Sequence, residues 1–304
     1  MKIAKHTIYF ALRAILAMCI LTSALAMADE SVRIRCKNSH YYSPTAEELD
    51  KAESLFHNFL SFRQNKADAE QFKMLDLSLS FESLQQLNYS MLTEFQANCH
   101  GRGSYVVKHK NNHKSNNKVM IQSPHIFYDT YTGEIAEQIF ATGHIYAAAW
   151  NSVSRKARSI GNYGNYGNAD LSRSTDSYLM RFSLAFAKSE NKARIVQLHG
   201  FSQKKRKTAP GRRADVIISN GTKKSSDDSR KLQQCLKKQF VEQYVFLFPY
   251  DVRELGATGN SIGKQLRIIG FNGFIHVEMS YAFRKELKNN PLKLEKFAQC
   301  LSEI

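Results

Sequence analysis

The chain has no C-x-x-C pair, no long uninterrupted apolar run and only 5 prolines in 304 residues. A membrane span needs roughly 18–20 consecutive apolar residues, and the run from Ala14 to Leu25 stops short of that. Without C-x-x-C, neither a thiol redox motif nor a thiolate zinc site is signalled. Acid is scarce as well: 27 Asp and Glu face 43 Lys and Arg, for a formal net charge of +16. No nucleic-acid recognition motif accompanies that excess, so specific nucleic-acid binding is the weakest reading of it. What is present is apolar and aromatic, 43% hydrophobic with 14 Tyr and 19 Phe, which excludes a disordered chain.

Lys2, Lys5 and Arg13 flank the apolar run, and Ala26-Met27-Ala28 precedes Asp29. A charged start, a short apolar stretch and an A-x-A site predict a secretory signal peptide over residues 1–28, hence a periplasmic or secreted protein without a later membrane span. Those three positive charges leave +13 on the remaining chain. Removing the leader takes Cys19 and leaves Cys36, Cys99, Cys235 and Cys300. In an oxidising compartment four cysteines allow three connectivities. Cys36–Cys99 with Cys235–Cys300 is the expected pairing because each joins parts of one region, and buried free thiols are the alternative.

The remaining length, about 275 residues, suits one α/β domain and a small addition. Residues 104–304 are expected to form that domain and residues 29–103 an N-terminal helical extension or cap, in a monomer. Ser43-Pro44-Thr45 with Glu47 and Glu48 reads as a helix start, and Leu49, Ala52, Leu55, Phe56, Phe59 and Leu60 recur at helical spacing. A second helix is expected from Phe81 to Ala97. Ser104–His109, a turn at Asn111-Asn112 and Lys118–Gln122 form either a hairpin or a loop leading into the first central strand. From Thr132 onward strands and helices alternate, the pattern of a mostly parallel sheet. The Gly161–Asn168 near-repeat reads as a loop over one edge of the site.

Three short strands carry the chemistry. Ala193–His199 is a buried β-branched run that stops at His199-Gly200; Lys118–Gln122 runs into Ser123-Pro124-His125; Gly273–Glu278 runs into Met279-Ser280. The carboxyl ends of neighbouring strands in an open α/β sheet line one crevice, so His125, Asp129, His199 and Glu278 are expected to converge there. Imidazoles with a carboxylate suit zinc at a site left open for water, and Glu278 stands where a general base is needed. A strand-end His can equally be a satisfied core residue. Polar turns at Asp215–Gly221 and Thr258-Gly259-Asn260 offer further hydrogen bonds to substrate, although turn chemistry alone explains both. Lys204, Lys205, Arg206, Lys207, Arg212 and Arg213 make a basic loop, either solvated or attractive to anionic polymers.

His125-Ile126-Phe127-Tyr128-Asp129-Thr130-Tyr131-Thr132-Gly133-Glu134, then Gln197-Leu198-His199-Gly200, then Glu278-Met279-Ser280-Tyr281-Ala282-Phe283-Arg284 resemble the ordered motifs of the poly-γ-glutamate hydrolase group, which sits with the zinc carboxypeptidase-like and N-formylglutamate amidohydrolase-like enzymes. The resemblance implies a three-layer α/β/α sandwich and one zinc ion held by His125, Asp129 and His199. It further implies Glu278 as catalytic residue and Arg284 as binder of a substrate carboxylate, in an amidohydrolase or peptidase of a small peptide or polyanionic substrate. Arg284 as an ordinary surface charge is the plainer reading. The group has Gly-Gly after its first His and a Glu as acidic ligand, whereas Ile126-Phe127 and Asp129 stand here, so Glu134 and Glu137 remain open as the acid. His144 and His276 are further ligand options. A non-catalytic secreted binding or effector protein on the same scaffold is the alternative function.

Overall fold

The computed structural model describes residues 33–36, 39–63, 65–84, 87–95, 97–109, 117–160, 169–189 and 192–304. The expected leader, the Asn111-Asn112 turn and the Gly161–Asn168 loop lie outside the described residues. Residues from Arg33 onward form one compact unit. Among the described residues no helix is long and apolar enough to cross a membrane.

The chain opens with β1 (Tyr41–Tyr42), α1 (Ala46–Leu60), α2 (Lys66–Met74), β2 (Leu77–Leu84), β3 (Leu87–Glu94) and β4 (Ser104–Lys108). It continues with β5 (Val119–Ser123), α3 (Thr132–Ala141), β6 (Ala147–Trp150), β7 (Ser159–Ile160), α4 (Tyr178–Ser189) and β8 (Arg194–Phe201). Last come α5 (Ala209–Arg213), β9 (Val216–Ser219), α6 (Asp227–Gln239), β10 (Val245–Leu247), α7 (Ser261–Ile268), β11 (Phe274–Ser280), α8 (Tyr281–Asn289) and α9 (Pro291–Ser302). Local chemistry sets several starts: Thr45 and Glu48 form a capping box on α1, and Ser226, Asn260, Ser280 and Asn290 cap α6 to α9.

The nine-stranded sheet runs β10-β9-β11-β8-β5-β6-β4-β3-β2. Its centre, β11-β8-β5-β6, is parallel throughout. Those strands are buried on both faces, which is why they read as unbroken apolar runs rather than alternations. One helical layer, α1, α4 and α7, packs through Phe56, Phe59, Phe182, Phe186 and Leu266. The opposite layer, α3, α6, α8 and α9, closes over the other face with Leu236, Phe283 and Phe297. The expected three-layer α/β/α architecture is the one observed.

The first third differs from expectation. Residues Phe81 to Ala97 do not form a helix: β2 and β3 pair antiparallel in register from Leu77↔Glu94 to Leu84↔Leu87. The alternation Leu77-Ser78-Leu79-Ser80 is a period-two pattern, and it prevails over the helical reading of the residues after it. Nor is the region 29–103 purely helical, since these strands continue the main sheet through β4, which pairs antiparallel with β3 and β6. Ser104–Lys108 and Val119–Ser123 therefore form no hairpin. Both expected disulfides are present, Cys36–Cys99 and Cys235–Cys300, with Cα–Cα separations of 5.5 and 5.6 Å.

Candidate metal centre and substrate cleft

β5, β8 and β11 end side by side, with Glu278 beside His199 and His276 beside Gln197 in the register. Just past β5 the chain coils rather than leaving the sheet. Tyr128 N and Asp129 N both donate to His125 O, at 3.0 and 2.9 Å, and Thr132 N donates to Asp129 O at 3.0 Å. That turn puts His125 and Asp129 on one side of the loop. Tyr131 then takes a left-handed φ of 75° and releases the chain into α3.

The departure from Gly-Gly has a structural account. Ile126 is buried and packs against Gly133, where an added Cβ would stand 3.0 Å from its Cγ2. Phe127 lies under Arg35, whose guanidinium carbon is 5.1 Å from the ring centroid. Both bulky side chains are thus engaged elsewhere than at the cluster.

Asp129 Oδ2 lies 3.3 Å from His125 Nδ1 and 3.1 Å from His199 Nδ1. The other nitrogen of each ring is also spoken for. His125 Nε2 is 2.7 Å from Asp170 Oδ1, which also accepts from Ser172 Oγ. His199 Nε2 is 3.2 Å from Gln197 Oε1, an oxygen that also accepts from Asn260 Nδ2 at 2.7 Å. Gln197 in turn donates to Gln122, and Gln122 to Ser183. A carboxylate and an amide oxygen can only accept, so both imidazoles carry hydrogen on Nε2 and aim Nδ1 at Asp129. Both Nδ1 atoms thus face one carboxylate oxygen, a contact that a proton on Nδ1 or a bound cation satisfies. Arg155 lies alongside, with Nη1 3.2 Å from His125 Nδ1 and Nη2 bonded to Asp170.

Burial opposes a charge on His125, but its bonds to Asp129 and Asp170 outweigh that and hold its pKa above the ordinary value. Burial and the neighbouring His125 push His199 the other way. Asp129 and Asp170 are also buried, yet their histidine partners pull both well below the usual carboxylate range.

Glu278 lines the same cleft. Its Oε2 has no hydrogen-bond partner, and His276 Nε2 is 3.8 Å from its Oε1. Burial, and then the charge of Asp129, push its pKa up to about 8. His276 stacks on His199 with ring centroids 4.5 Å apart, and burial drives its pKa well below the ordinary value. Arg284, at the start of α8, is only 4% exposed, and its Nε and Nη1 have no partner. Gly200 makes room for it: a Cβ there would stand 1.4 Å from Arg284 Nη1. A cavity of about 390 Å³ is lined by His125, Arg155, Arg173, His199, Asn260 and Glu278. A second, of about 650 Å³, is lined by Asp129, Lys204, Arg206, Glu278, Tyr281 and Arg284.

The structure brings together His125, Asp129, His199, Glu278 and Arg284. Glu134 and Glu137 are not at the cluster, because they pair with Arg33 and Arg35 on the outer side of α3. His144 is held by Glu295 at 2.7 Å, away from the sheet ends. Asn260 joins the site through Gln197, as the polar Thr258-Gly259-Asn260 loop suggested, while Asn220 and Gly221 serve their own turn. Asp170 and Arg155 carried no local signature in the sequence, and Gln197 stood in the quoted His199 motif without an assigned role. The basic loop is built rather than loose. Glu254 accepts from the amides of Lys207 and Thr208 and from Thr208 Oγ1, bonds that outweigh slight burial and hold its pKa down to about 2.

No protein-family model matches the chain, and no curated protein matches it. Among solved structures its fold is similar to a bacteriophage poly-γ-glutamate hydrolase, at 12% identity over 63% of this chain and 84% of that one, with a TM-score of 0.35. It is similar to N-formylglutamate amidohydrolase from Ralstonia eutropha, at 10% identity over 60% and 92%, TM-score 0.37. A Zn-dependent exopeptidase from Parabacteroides distasonis gives 10% identity over 84% and 96%, TM-score 0.32. These neighbours are by name a hydrolase, an amidohydrolase and an exopeptidase. Likeness at this level concerns the fold; the chemistry of the cleft rests on its own residues.

Proposed function

We propose that this chain is an exported zinc-dependent hydrolase that cleaves an amide bond in a carboxylate-bearing substrate, such as a γ-glutamyl, N-acyl amino acid or cell-wall peptide. The observation that carries this reading is the meeting of His125, Asp129 and His199, each offering a ligand atom within 4.8 Å of the others'. Two imidazoles and one carboxylate, bordering a cavity, match the donor set of an open catalytic zinc site. An ion held there supplies Lewis-acid polarisation of the scissile carbonyl and of water. Asp170 and Gln197 fix the two imidazole tautomers, the role that outer hydrogen bonds play at such sites.

Glu278 takes the proton from the attacking water and passes it to the leaving amine. A carboxyl whose pKa burial has lifted toward neutrality is suited to both halves of that transfer, and a cation at the cluster would pull it back down. Arg284, with Nε and Nη1 unpartnered, is placed to pair with a substrate carboxylate and so orient the amide toward Glu278. The signal-like leader and two disulfides support export.

The test is hydrolysis by the zinc-loaded protein of matched amides with and without a neighbouring carboxylate. Cleavage of the carboxylate series, lost in Glu278→Gln and raised in KM by Arg284→Gln, is the expected result. A Glu278→Gln variant that keeps every measurable function would instead favour a binding protein on the same scaffold.

A further inference from the structure

The segment Arg33–Cys36 crosses the molecule as a strap over the ligand-bearing loop. Arg33 is 10% exposed and donates from Nε to Glu137 at 2.8 Å, with Nη2 3.6 Å from Glu134. Both acids lie on α3, whose first turn follows Asp129 directly. The contact is close enough that a Cβ on Gly133 would stand 3.3 Å from Arg33 Cδ. Arg35 covers Phe127, in the middle of the loop. Ile34 N donates to Ser104 Oγ at 3.2 Å, and Cys36 N donates to Ser152 O at 2.7 Å. Ser152 precedes Arg155, whose Nη1 is 3.2 Å from His125 Nδ1. Its far end is pinned by the disulfide to Cys99.

We propose that Arg33 is a positioning residue for the metal loop and that the Cys36–Cys99 bond makes this positioning redox-dependent. With the bond intact, the strap holds α3 and Phe127 where His125 and Asp129 meet. Reduction opens one S–S bond to two thiols, a two-electron step in which a dithiol reductant such as dithiothreitol closes to its own disulfide. The strap then loses its covalent anchor and keeps its non-covalent contacts, which loosens the clamp on the loop. Metal is retained in an oxidising compartment and released more readily in a reducing one. This inference rests on His125 and Asp129 as ligands.

The other disulfide is the control, because it closes a loop of nearly the same length, 65 residues against 63. Zinc affinity is measured by competition with a chromophoric chelator for wild type, C36S/C99S, C235S/C300S, Arg33→Gln and Arg33→Lys. C36S/C99S and Arg33→Gln should bind zinc about tenfold more weakly, Arg33→Lys should recover part of the loss, and C235S/C300S should match wild type. Equal affinity in all, or a loss that follows thermal stability whichever disulfide is removed, overturns the proposal. If C36S/C99S does not fold, the two Arg33 variants decide. If wild type holds no zinc, the functional reading fails, and the latch is read instead by amide hydrogen exchange. Faster exchange over residues 125–132 in Arg33→Gln, but not in C235S/C300S, supports it, and unchanged exchange refutes it.

Discussion

Two concentrations of charge stand near one another and behave in opposite ways. In the basic loop, Glu254 satisfies the amides of Lys207 and Thr208 and pairs with Arg206. In the cleft floor, Glu278 Oε2, His276 Nδ1 and two nitrogens of Arg284 are buried without partners. The loop is prominent in the sequence and finished in the structure. The floor carries the quoted Glu278–Arg284 motif in the sequence and is unfinished in the structure. Leaving a buried polar atom unpaired costs on the order of 1–3 kcal/mol, a cost that a substrate would relieve under the proposed function.

The largest effect should fall on the floor. Glu278→Gln, which preserves shape and removes the proton acceptor, should lower kcat by about 100- to 10,000-fold with zinc retained. Steady-state kinetics with metal analysis on the same sample checks both parts. Next comes the support of the imidazoles: Asp170→Asn should weaken zinc binding by about 10- to 100-fold without unfolding the protein, read by chelator competition and circular dichroism.

A pH experiment sharpens the contrast. The pKa of Glu278 is lifted from 4.5 to about 8, so its ionisation opposes folding. The penalty is absent well below the unfolded value, grows as pH rises, and is complete above about pH 8. Metal-free Glu278→Gln should therefore gain stability over metal-free wild type, by a few kcal/mol at high pH and by almost nothing near pH 4. Denaturant titrations at the two pH values measure it. Glu254 has the opposite sign, because its lowered pKa gives stability present above the unfolded value and lost as pH falls toward about 2. Glu254 is partly buried yet near solvent and screened, so Glu254→Gln should cost no more than about 1 kcal/mol at neutral pH.

Much of the site was legible because buried parallel strands advertise themselves. Val119–Ser123, Arg194–Phe201 and Phe274–Ser280 are apolar runs whose ends the topology must gather, so His125, His199 and Glu278 could be placed together. The choice between Asp129 and Glu134 was not legible. It depends on the turn that folds Asp129 N back onto His125 O, and on Arg33 and Arg35 drawing Glu134 to the outer side of α3. Asp170 was invisible for a related reason: its bond to His125 spans 45 positions and leaves no periodic trace. The β2–β3 hairpin was misread as a helix because long-range pairing with β4 decides its state, not local propensity.

The central claim is tested most directly by the zinc content of mature protein, comparing wild type with Asp129→Ala and Glu134→Ala. The account predicts one zinc per chain in wild type and in Glu134→Ala, and none in Asp129→Ala. Folded wild-type protein that takes up no zinc after reconstitution, or an Asp129→Ala variant that keeps a full equivalent, would contradict it.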